Sequence, residues 1–204
     1  RQSHDVGGTR LNLVSFTPGT SFPERGGRRS GNARERALIT VLLSRITGAD
    51  DAEERASALL MQGDVTSVER FEQRIQWCRQ ELGEAGPDRL ITESFARIAA
   101  ESGALESFRS MRQEALGAES LSQEWPEASR RLDLIYALRA DLSRAGAAAM
   151  TPDLVILDEF QRFRKLMAAP GSKDDSPAAE LARSLFGQRD SKLLLLSATP
   201  YSPY

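Results

Sequence analysis

Two neighbouring carboxylates close the run Leu154-Val155-Ile156-Leu157-Asp158-Glu159. Four consecutive apolar residues without polar alternation read as a strand buried on both faces, the kind found inside a parallel sheet. Successive strand residues point to opposite sides, and open α/β folds hold ligands beyond the carboxyl ends of their strands. In that setting Asp158 is the candidate metal residue, holding Mg2+ through a water shell the ion gives up reluctantly. Glu159 is then placed to act on an attacking water. Phosphoryl transfer needs little more from a protein than a metal on the phosphates and a group that orients the nucleophile. The pattern is that of a Walker B strand, although apolar strands also end in acids for purely structural reasons. A nuclease reading of Pro152-Asp153 with Glu159-Phe160-Gln161 fails on spacing, because both acids fall on one run.

A second apolar run, Leu193 to Leu196, ends in Ser197-Ala198-Thr199-Pro200, with Ser197 39 residues beyond Asp158. Together the two runs resemble the superfamily 2 helicases and translocases, whose motif II matches Asp158-Glu159-Phe160-Gln161 and whose motif III matches Ser197-Ala198-Thr199. The early Ser15-Phe16-Thr17-Pro18-Gly19-Thr20-Ser21-Phe22 is similar to motif Ib of prokaryotic, remodeller-related members. The resemblance implies a DNA-dependent ATPase using ATP and Mg2+. It makes Asp158 the metal residue, Glu159 the catalytic base and Gln161 a γ-phosphate sensor. Ser197 and Thr199 become the coupling element, and Thr17 and Gly19 phosphate-backbone contacts. It covers residues 11–36 and 151–204. No Gly-x-x-x-x-Gly-Lys-Ser/Thr loop occurs in the chain, so the phosphate-cradling half of such a site is not in it. Position 161 is Gln, where the best-known subfamilies have His or Asp, and the second motor lobe with its arginine finger is missing. A chain that opens on Arg1 and stops shortly after an apolar strand reads as a fragment whose partners include the remainder of its own protein.

The elements that must position these residues follow from the pattern of the chain. Leu11 to Phe16 reads as a short strand ended by Thr17-Pro18-Gly19, and Pro23 to Gly31 as a basic loop. From Ala33 to about Ala149 apolar residues recur at helical spacing and predict five or six helices. Ala37, Leu38, Val41, Leu42 and Ile46 share the inner face of the first. Thr66 and Glu69 have capping-box spacing, ahead of Val68, Phe71, Ile75, Cys78 and Leu82. Pro126 opens the last helix. The expected fold class is therefore α/β: a partial RecA-like lobe with a parallel sheet of about three strands, interrupted by a large α-helical insertion. The domain plan is 1–32, with the motif Ib-like strand, 33–150 as the insertion, and 151–204 with motifs II and III. Strands at 11–16, 153–158 and 192–197 should be parallel neighbours with the Asp158 strand in the middle. Trp77, Trp125 and Tyr136 are expected in or at the edge of the helical core, and the alternating Arg and Glu on a solvated face.

Composition narrows the classes. Net charge is −2 over 204 residues, so nucleic-acid binding must come from a local patch. Cys78 is the only cysteine and His4 the only histidine, which excludes an intrachain disulfide framework, a Cys/His metal centre within the chain and, in practice, a Ser/His/Asp triad. No apolar run approaches the ~20 residues of a bilayer span, and a cytoplasmic protein with no membrane partner is expected. The alternative class is a non-enzymatic helical module for partner binding or regulation, carrying a degenerate motor remnant.

Overall fold

The computed structural model describes residues 2–6, 9–13, 30–122, 124, 126–149, 154–157 and 192–196. Its interior is helical. Among the described residues six helices follow one another: α1 (Ala33–Thr47), α2 (Asp51–Met61), α3 (Val68–Leu82), α4 (Arg89–Glu101), α5 (Ala104–Glu114) and α6 (Glu127–Ala149). The starts of α1 to α4 are written in the sequence by short polar residues that accept from the orphan amides of the first turn. Asn32 takes the Arg34 amide at 2.8 Å, Asp88 takes that of Ile91 at 3.1 Å, and Asp50 forms a reciprocal capping box with Glu53. At α3 the cap is Ser67, accepting from the Arg70 amide. The expected box at Thr66 and Glu69 is displaced by one residue, and Glu69 reaches across to Arg55 instead.

α1 is the hub of the bundle and touches α2, α3, α4 and α6, while α4 and α6 form the most extensive helix pair. Contact on several sides widens its buried arc beyond a single stripe. Ile39 and Leu43 are fully enclosed along with Ala37, Val41 and Leu42, whereas Leu38 and Ile46 are only half-buried against the core. Phe71 of α3, Phe95 of α4, Phe108 of α5 and Leu138 of α6 fill the centre.

Two small strand pairs accompany the bundle. β1 (Gln2–Val6) pairs antiparallel with β2 (Thr9–Leu13), with Gln2 opposite Leu13 and Val6 opposite Thr9. β3 (Leu154–Leu157) pairs parallel with β4 (Lys192–Leu195), with Leu154 opposite Lys192 and Leu157 opposite Leu195. The last two strands are thus parallel neighbours, as expected, but the α/β fold class is overturned. The early strand spends its ladder on β1 rather than on β3. Each described sheet has two strands, so β3 has a single strand neighbour instead of a central place. Every member of the hydrophobic core cluster lies between Ala37 and Ala145. A parallel sheet is stable when helices cover both faces. Here Leu154, Ile156, Leu194 and Leu196 remain 51%, 52%, 44% and 42% exposed. Among the described residues neither strand pair packs extensively on a helix. An unbroken apolar run announces a strand but does not say what covers it. Gly7-Gly8, standing between β1 and β2 in the sequence, is a hairpin signal that would have found the antiparallel pair. Among the described residues no helix is long and apolar enough to cross a membrane.

Candidate functional site

Asp158, Glu159, Gln161, Ser197, Thr199, Thr17 and Gly19 all lie outside the described residues. What the structure gives for that region is the frame leading to it. β3 and β4 end level, Leu157 against Leu195, with Asp158 next in the chain after Leu157 and Ser197 two residues after Leu195. Among the described residues no group of three or more His, Cys, Asp or Glu is arranged to hold a metal ion.

The described residues assemble a different polar centre, around Arg36. Its guanidinium, fully buried on the first turns of α1, donates from Nε to the Met61 carbonyl at 2.9 Å. Nη1 reaches the Ser30 and Gly31 carbonyls at 2.7 and 2.9 Å. Nη2 reaches the Gln62 carbonyl at 2.8 Å and Asp64 Oδ1 at 2.7 Å. Burial lowers the Arg36 pKa from its ordinary value, and the hydrogen bond and charge of Asp64 oppose that shift. With every donor directed, the side chain ties the segment before α1 to the end of α2. The Phe71 ring lies 5.8 Å beneath it. Gly31 adopts φ +62° against Arg139, whose Nε donates to Glu35 at 2.7 Å.

This lock forms one wall of an open groove of about 610 Å³, lined by Gly31, Asn32, Asp64, Thr66, Arg70 and Arg74 among others. Arg70 donates to the Thr66 hydroxyl at 3.1 Å. One helical turn beyond Arg74 on α3 stands Trp77, 59% exposed. The expectation that Trp77 belongs to the core is therefore corrected. The buried face of α3 is taken by Val68, Phe71, Ile75 and Cys78, and position 77 falls on the opposite flank. Trp125 lies outside the described residues. Tyr136 is half-buried, with a hydroxyl that has no hydrogen-bond partner among the described residues. The sequence contained the signal for the groove, since residues 70, 74 and 77 follow i, i+4, i+7 spacing.

Two further buried clusters are structural. Asp141 of α6, 2% exposed, accepts from Ser102 Oγ at 2.6 Å, and that hydroxyl also takes the Ala104 amide across the α4–α5 turn. Desolvation raises the Asp141 carboxyl, against the lowering effects of Ser102 and Arg144. Arg112 of α5 joins Glu53 at 2.8 Å and Thr47 at 2.9 Å, sealing α5 to α2 and the end of α1. The expectation that the charged residues of the helices lie on a solvated face is corrected at Arg36, Arg112 and Asp141.

No family model, no curated protein and no solved structure matches this chain.

Proposed function

We propose that the chain is part of a nucleic-acid-dependent ATPase, in which Asp158 holds Mg2+ and Glu159 activates the water that attacks ATP. The observation that carries this reading is the level, parallel pairing of β3 and β4. It joins the two strands whose sequences run on into Asp158-Glu159 and Ser197-Ala198-Thr199. Chemistry that couples a metal-bearing acid on one strand to a hydroxyl pair on the next needs that neighbourhood. Gln161, four residues past Leu157 in the chain, is assigned the sensing of the γ-phosphate. DNA is the proposed stimulating partner, contacted in part through Thr17 and Gly19.

The test is Mg2+-dependent ATP hydrolysis, with and without DNA, by the protein in its natural full-length form. Glu159→Gln abolishes DNA-stimulated turnover and leaves ATP binding intact. Retained turnover removes Glu159 from the role of base. Asp158→Asn weakens the Mg2+ dependence of nucleotide binding itself.

A second reading, a helical binding module, is favoured by one observation: among the described residues the core cluster is drawn from the helices and the turn after α5. A bundle that satisfies itself in this way has the makings of an independent working part. If neither Glu159→Gln nor Asp158→Asn alters nucleotide handling, this reading stands in place of the first.

A further inference from the structure

We infer that one flank of α3, with Arg70, Arg74 and Trp77 on successive turns, is a binding strip for single-stranded nucleic acid. This deepens the nucleic-acid half of the proposed function and rests on that reading for its biological meaning.

Four acids on or close in sequence to α3 are engaged by other arginines. Glu69 and Glu72 are held by Arg55 at 3.3 and 2.9 Å, Glu81 by Arg34 at 3.0 Å, and Asp64 by the buried Arg36 at 2.7 Å. Arg70 is left with only the neutral Thr66 hydroxyl, and the exposed Arg74 has no acidic partner among the described residues. Because Arg55 is shared between Glu69 and Glu72, the two guanidinium groups on the rim of a groove of about 610 Å³ leave a local excess of one positive charge on a chain of net charge −2. Arginine is the side chain best suited to phosphate, since its planar fork offers two parallel donors.

Trp77 lies on the same flank, about 4.5 Å further along the helix axis than Arg74, and 59% of its surface faces solvent. An open indole can stack on any base, because every base has a π face, and such stacking next to backbone-tracking cations is the general device of single-strand binders. A duplex hides its base faces inside the stack, so Trp77 favours an unpaired strand. An acidic polypeptide would use the arginines and leave the indole idle.

The experiment titrates the 204-residue chain with fluorescein-labelled thymidine and uridine homo-oligomers, without ATP, over a range of salt concentrations. The wild-type chain binds, and its affinity falls with salt. Arg70→Ala with Arg74→Ala flattens the logarithmic salt slope by about 1.4, the contribution of two phosphate contacts on a single strand. Trp77→Ala weakens binding about tenfold with the slope unchanged. In a Trp125→Phe background the remaining indole fluorescence is quenched on binding. All three side chains are exposed, and melting curves equal to wild type confirm that the variants are folded. Absence of binding, variants that bind as wild type does, or poly-glutamate competing with equal force and no dependence on Trp77 each overturn the strip. The arm that binds more tightly distinguishes DNA from RNA as the source of the strand. Oligomer binding that survives while Glu159→Gln has no effect on ATP turnover sinks the ATPase and leaves the strip; the reverse result does the opposite.

Discussion

Arg36 and Asp64 meet at 2.7 Å with the arginine fully enclosed and the carboxylate half in solvent, at 52% exposure. The asymmetry decides what each contributes. Asp64 can be hydrated when its partner is lost, but the carbonyls of Ser30, Met61 and Gln62 turn inward toward the guanidinium. Arg36→Ala is therefore expected to cost about 3–5 kcal/mol, the range for breaking a buried charged network by removing one member. Arg36→Lys, with three donors in place of five, recovers only part of that loss. Asp64→Asn keeps an acceptor at the rim but removes the countercharge of the enclosed guanidinium, and is expected to cost about 1–3 kcal/mol, less than Arg36→Ala. Denaturant midpoints at constant slope measure all three. A large Asp64 effect beside a small Arg36 effect would refute the assignment.

Gly63 turns the chain out of α2 at φ +60°, and a Cβ there would stand 2.7 Å from Arg36 Cζ. Gly48 has nearly the same backbone, φ +64°, with nothing within 4 Å of the same position. Both alanine variants carry the left-handed strain of about 1–2 kcal/mol, but only Gly63→Ala also displaces the guanidinium. Gly63→Ala is expected to be the more destabilising, and its excess over Gly48→Ala should vanish in an Arg36→Ala background. A double-mutant cycle reads that coupling directly.

The helices were legible because their signals are local. The apolar spacing of Val68, Phe71, Ile75 and Cys78 can be read within two or three turns, and even the cap expected at Thr66 fell within one residue of Ser67, the one observed. The polar interior was not legible. Arg36 finds its carbonyls 25 and 26 residues away and Arg112 finds Thr47 65 residues away. A charged residue in an amphipathic pattern defaults to solvent until such partners are known. Trp77 failed in the other direction, since an aromatic on a helix defaults to the core until the opposite face proves full. β3 and β4 were found as strands and as neighbours. Their setting was misjudged because a four-residue apolar run carries no information about its cover.

Asp141 should make stability depend on pH in a defined direction. Desolvation raises its carboxyl in the folded state, so its contribution is fully present below the unfolded aspartate value. It is lost as pH rises through the raised folded value. Asp141→Asn removes the buried charge and keeps an oxygen for the Ser102 hydroxyl. The variant is expected to melt above wild type near neutral pH, with the gap closing as pH falls below the ordinary aspartate value of about 3.9. Melting temperatures of the two proteins across that interval test the sign. A gap that does not move with pH would show that Asp141 is charged at no net cost.

Cys78 offers a reporter of how cooperatively the bundle opens. It is the only thiol in the chain, 7% exposed on the inner face of α3, and burial pushes its pKa up, with Glu81 adding to the effect. Thiolate is the reactive form, so burial and the raised pKa both slow attack by an aromatic disulfide reagent. In the native protein modification is expected to be suppressed at least about a thousandfold relative to the denatured chain, in keeping with the usual margin of domain stability. α3 packs on the central α1, and its loss would uncover Phe71 and Ile75 together. The opening free energy read from labelling should therefore match the global value from denaturant. A much smaller labelling value would mean that α3 detaches on its own and that the Arg70, Arg74 and Trp77 flank sits on a movable helix.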